Sequence, residues 1–65
     1  MNNAQLATAR RVTREFPTLR IRKDGLTLVP VAPGGATGTP VQVTDRMDET
    51  ALRDALRASC EALLS

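Results

Sequence analysis

The chain has 65 residues, nine of them basic and seven acidic, with no histidine, one cysteine and a single aromatic side chain, Phe16. That length admits one domain, since domains are rarely smaller than about 50 residues; a lone thiol excludes an intramolecular disulfide, and the lack of imidazole removes the usual zinc ligand sets and the commonest general base near neutral pH. No apolar run follows Met1 and nothing approaches the roughly 18 apolar residues of a membrane span, so the expectation is a single compact domain over residues 1–65, soluble, cytoplasmic and without membrane contact.

Asn2 or Asn3 is placed to cap a helix that runs to about Glu15 and is ended by Pro17, which restricts Phe16 before it. Leu6, Ala9, Val12 and Phe16 recur at helical spacing and predict its inner stripe, while Arg10, Arg11 and Arg14 centre on the opposite side. The next stretch, LRIRKDGLTLVPV from Leu19 to Val31, is expected to organise the fold. Asp24-Gly25 predicts a type I′ two-residue loop, pairing Lys23 with Leu26, Ile21 with Leu28 and Leu19 with Pro30. That register puts the apolar residues on one side and Arg20 and Arg22 on the other, and a slip of one residue would mix them. Pro30 lacks a ladder donor, so regular pairing is expected to stop near Val29 or to contain a bulge.

Residues 32–40, with three glycines between two prolines, predict a loop and the most mobile internal segment. Val41–Thr44 alternates as a third short strand. Asp48 is a good N-cap, Glu49 suits the first turn of a helix, and Met47 and Leu52 stand at the positions of a hydrophobic staple. The inner face of this last helix is predicted as Leu52, Ala55, Leu56, Ser59 and Leu63, flanked by Ala51, Cys60 and Ala62. Its outer face, Glu49, Arg53, Asp54, Arg57 and Glu61, offers Glu49–Arg53 and Asp54–Arg57 as helical ion pairs. The fold class is α+β in α-β-β-β-α order, a small antiparallel sheet packed on one side by two helices.

Candidate chemistry is sparse. Asp45, Asp48 and Glu49 cluster, and helix capping accounts for them. Cys60 lies near the C-terminal end of its helix, without the basic neighbour or helix N-terminus that activates a thiol, and is read as buried or flanking. The Gly34–Thr39 run lacks the lysine of a phosphate-binding loop and leads into Pro40 and a strand, not a helix N-terminus. No catalytic residue, metal ligand set or cofactor is expected, and the chain is not read as an enzyme.

Charge is uneven. Residues 1–25 carry six basic against two acidic residues, and residues 26–65 three against five. The six, Arg10, Arg11, Arg14, Arg20, Arg22 and Lys23, are the candidate partner-binding residues, and arginine suits bidentate contact with carboxylate or phosphate. No Tyr or Trp is available to stack unpaired bases. The element order is similar to that of the double-stranded RNA-binding domain, but where that family carries a lysine cluster at the start of its second helix this chain reads Asp48-Glu49-Thr50-Ala51.

In size, lack of catalytic residues and self-contained fold, the chain resembles the small inhibitor proteins of phages and mobile elements, the anti-CRISPR proteins among them. That resemblance of class, which carries no motif and no residue roles, implies stoichiometric binding to a larger protein complex that handles nucleic acid. The leading expectation is therefore a non-enzymatic protein-binding module, monomeric or weakly dimeric. The alternatives are a duplex nucleic-acid-binding domain using the same six residues and a homodimer formed through the sheet face bearing Val29 and Val31.

Overall fold

In a computed structural model covering residues 1–65, the elements run α1 (Asn3–Glu15), β1 (Arg20–Asp24), β2 (Thr27–Val31), β3 (Val41–Gln42) and α2 (Glu49–Leu64). Both helices begin where a short polar side chain supplies the acceptor that first-turn N–H groups lack. At α1 the Asn2 side chain accepts from the Gln5 N–H at 2.8 Å, and the Gln5 side chain accepts from the Asn2 N–H at 3.1 Å, a reciprocal capping box. At α2 the Asp48 carboxylate accepts from the Ala51 N–H at 2.7 Å. Phe16 closes α1 by donating its N–H to the Thr13 carbonyl, and Pro17 follows.

The three strands form one antiparallel sheet in the order β1-β2-β3. The first hairpin differs from the sequence expectation. Asp24 pairs with Thr27, Lys23 with Leu28 and Ile21 with Pro30, so the loop is Gly25-Leu26 and the register sits two residues from the predicted one. Gly25 has φ +62°, whereas Leu26 keeps a negative φ, the pattern of a type II′ turn with glycine at its first central position. A shift of two conserves which face each side chain takes, so the predicted division of faces holds: Ile21, Leu28 and Pro30 on one side, Arg20 and Arg22 on the other.

Pairing between β1 and β2 also continues past Val29, through Pro30 to Val31. The Pro30 carbonyl accepts from the Gly38 N–H at 2.9 Å, on the β3 side. In an antiparallel strand the N–H of a residue points the same way as its carbonyl, so the donor that Pro30 lacks would face β3, where the ladder is already interrupted. The same alternation turns the backbone groups of Arg20, Arg22 and Asp24 toward β2 and those of Ile21 and Lys23 outward. The third strand is two residues shorter than expected. Val43 lies just beyond it, donating its N–H to the Leu26 carbonyl at 2.7 Å.

Helices and sheet enclose one core of Ala9, Val12, Leu19, Leu28, Val41, Val43, Leu52, Leu56 and Cys60. Leu52 and Leu56 have no exposed surface, and burying such a side chain contributes about 1.5–3 kcal/mol. The inner side of α1 is Gln5, Thr8, Ala9 and Val12, so the predicted stripe holds at Ala9 and Val12, with Phe16 packed against the core, while Leu6 is only partly buried and Gln5 and Thr8 lie inward. The reason is polar: Gln5 Nε2 donates to the Thr44 carbonyl at 2.9 Å and the Met47 carbonyl at 3.2 Å, turning the helix toward the chain that leads into α2. Gln5 thus meets the entry to α2, and Glu15 meets Arg57 one helix length later, so the two helices run in the same direction.

Residues 32–40 close a second, interrupted hairpin. The Ala32 N–H donates to the Ala36 carbonyl at 2.8 Å, the Gly35 N–H to the Ala32 carbonyl at 2.9 Å, and Val31 bridges Thr37. The segment also touches α2, where Ser59 Oγ donates to the Thr39 carbonyl at 2.6 Å. Gly38 lies so close to Pro30 and Ser59 that a Cβ there would stand 2.8 Å from Pro30 Cγ and 2.9 Å from Ser59 Oγ.

Candidate interaction surface

The six basic residues singled out by sequence are all exposed, and none has a carboxylate within 4.0 Å. They do not form one face. Arg10 and Arg14 lie opposite the buried side of α1, and Arg11 lies on its flank toward α2, all three on the helix layer. Arg20 and Arg22 alternate onto the uncovered face of the sheet, on the other side of the two layers. Lys23 shares the parity of Ile21 but lies near the hairpin turn and is exposed. The fold therefore splits one basic stretch of sequence into three arginines on the helix layer, two on the open sheet face, and Lys23 at the hairpin end with the opposite parity.

Of the other three basic residues Arg46 is likewise exposed and unpaired, while Arg57 and Arg53 have partners. Arg57 reaches across to Glu15 of α1 at 3.1 Å, and Arg53 lies 3.5 Å from its neighbour Asp54. The predicted Glu49–Arg53 and Asp54–Arg57 pairs are absent: Arg57 pairs with Glu15 of α1 and Arg53 with its neighbour Asp54. All four partners are about half-exposed, where such pairs contribute up to about 1 kcal/mol. Between the helices Thr8, Arg11, Glu15, Glu49, Thr50 and Arg53 line a polar groove of about 190 Å³.

Two further surface features bear on binding. A trough of about 640 Å³ lies where Arg20 meets Pro17, Thr18, Val31 and Pro33 at one end of the sheet. A more apolar groove of about 440 Å³ runs between β3 and α2, lined by Pro40, Val41, Met47, Ala55, Ala58 and Ala62 among others. The sequence reading missed this groove. Its signal is the run of small side chains at Ala55, Ala58 and Ala62, which leaves α2 without bulk on the side facing Pro40.

Cys60 is completely buried in the core and is not a flanking residue. Burial, and secondarily the adjacent Glu61 carboxylate, push its thiol pKa up, so it stays protonated near neutral pH and is poorly nucleophilic. No three Cys, Asp or Glu side chains converge into a metal-binding group, and Asp48 of the acidic cluster is engaged in capping. No helix is long and apolar enough to cross a membrane. No protein-family model matches the chain, and no significant match is found among curated proteins or solved structures.

Proposed function

We propose that this chain is a non-enzymatic protein-binding module that acts by stoichiometric occupation of a partner's surface, the partner being a larger complex that handles nucleic acid, in the manner of the anti-CRISPR inhibitors. The observation that carries the reading is the contrast in pairing: the six basic residues of the N-terminal half are exposed without a carboxylate partner, as is Arg46, beside two arginines that have found theirs. Unpaired surface cations of one sign speed encounter with an acidic surface and fix its orientation. A fold of this size can devote about 800 Å² to one partner, the standard interface.

Capture of the native partner, with the bound material identified as protein or nucleic acid, is the first test. Two triple variants then apportion the binding: Arg10, Arg11 and Arg14 to Glu on the helix layer, and Arg20, Arg22 and Lys23 to Glu on the sheet side. Loss of capture by at least one triple, with helical circular dichroism retained, is the expected result. Capture that survives both triples removes the reading.

Direct duplex binding draws on the same arginines, but the split between layers weakens it. One duplex laid against either side meets at most three of the six cations, which gives a log-log salt slope no steeper than about −2.7 and modest affinity. A failure to shift any duplex at about 50 mM salt would exclude it, salt competition being weakest there.

A further inference from the structure

The two edges of the sheet are unequal. β3 is two residues long, follows Pro40, and by alternation turns only the Gln42 backbone outward. Short length and proline are the usual means by which an edge is closed to further pairing. β1 has neither. Over its five residues the N–H and C=O groups of Ile21 and Lys23 point away from β2, and none of the turn, loop or cap hydrogen bonds reaches them.

That open edge is also charged. Arg20, Arg22 and Lys23 are exposed beside it against one carboxylate, Asp24, and none of the three is ion-paired. Charge keeps such an edge from pairing with a copy of itself. Each β1 carries a balance of +2, so two copies edge to edge would bring +2 against +2 in any register. An incoming strand of opposite sign meets no such penalty. Side chains on an added strand alternate between faces, so acidic residues two apart would meet Arg20 and Arg22 on the open face, and a small apolar residue between them would lie beside half-buried Ile21.

Building on the protein-binding reading, we propose that β1 is the docking edge, and that it takes an extended acidic peptide segment of the partner as a fourth strand, with main-chain hydrogen bonds at Ile21 and Lys23 and acidic side chains on Arg20 and Arg22.

The probe is a fluorescein-labelled peptide of about seven residues, the length of a typical strand, alternating Glu with Val, titrated by anisotropy against the whole chain. Lys23→Pro removes an outward N–H without touching the β2 ladder, Lys23→Gln removes only the charge, and circular dichroism monitors the fold of each. Lys23→Pro and N-methylation of alternate peptide amides should each weaken binding about tenfold or more, and Lys23→Gln clearly less. Arg20 and Arg22 to Glu should abolish binding, while Arg46→Glu, a charge reversal beyond β3, leaves it within about twofold.

No binding at about 1 mM peptide, or sedimentation showing that the chain pairs with itself through β1, overturns the proposal. So does binding that ignores Lys23→Pro and N-methylation yet needs Arg20 and Arg22; that pattern is charge attraction without strand addition, and it leaves the protein-binding reading standing. The broader reading fails on its own terms, when capture of the native partner survives both charge-reversal triples.

Discussion

Replacing Gly38 with alanine adds one methyl group at the tightest point between the second hairpin and α2. The new Cβ would lie 2.8 Å from Pro30 Cγ, 2.9 Å from Ser59 Oγ and 3.2 Å from the Ser59 carbonyl. Gly38 has no positive φ, so the whole cost is overlap and not dihedral strain. Overpacking of this kind costs about 1–3 kcal/mol. Rotating Ser59 away relieves one contact but gives up its 2.6 Å hydrogen bond to the Thr39 carbonyl, about another 1 kcal/mol. Against this, the methyl group restrains the unfolded chain, stabilising by about 0.4–1 kcal/mol. The net expectation is a loss of about 1–3 kcal/mol, a fall in midpoint temperature of about 5–20 °C for a chain this short. Gly34→Ala is the control: its Cβ meets nothing within 4 Å and its φ is not positive, so the entropic gain stands alone. Urea and thermal unfolding followed by circular dichroism at the helix band suit a chain without Trp or Tyr. If Gly38→Ala is as stable as Gly34→Ala, the close approach argued here is wrong.

Gln5→Leu removes the donor for the Thr44 and Met47 carbonyls and half of the capping box, and should cost about 2–3 kcal/mol by the same unfolding assay although it adds apolar surface. The Cys60 thiol gives a pH signature. Its pKa is raised in the fold, so its contribution to stability is complete below the unfolded value of about 8.5 and is lost as pH rises toward the higher folded value. Urea midpoints should therefore fall above about pH 8.5, and the fall should be shallower in Cys60→Ala, whatever that variant's stability at neutral pH; equal slopes would show that the thiol is not held protonated by burial.

What could be read from the residues and what could not divide along physical lines. Helix ends depend on side chains acting within three or four positions, so Asn2, Pro17 and Asp48 mark them correctly. The apolar alternation around Gly25 fixes which face each residue takes, but a pattern of period two cannot distinguish registers that differ by two, and the pairing was misplaced by that amount. Pro30 was judged against the wrong neighbour, because which of two flanking strands its missing donor faces is decided by the sheet order. Helical spacing offers Gln5 no partner, and only the folded path of residues 44–47 gives it two acceptors. The exposure of the five arginines is legible from periodicity, whereas that of Lys23 follows from its place beside the turn, and the separation of the arginines onto two layers depends on which sheet face the helices cover.

The link from Gln5 to Thr44 and Met47 spans 39 and 42 positions of chain. A turn such as Gly25-Leu26 joins near neighbours and can close within microseconds, whereas joining Gln5 to its acceptors closes a far longer loop, which favours late formation. Bonds that form after the folding barrier leave the forward rate almost untouched and act on the reverse one. Loss of the Gln5 amide should accordingly steepen the rate at which folded molecules come apart while refolding proceeds as before, making this side chain a latch on lifetime.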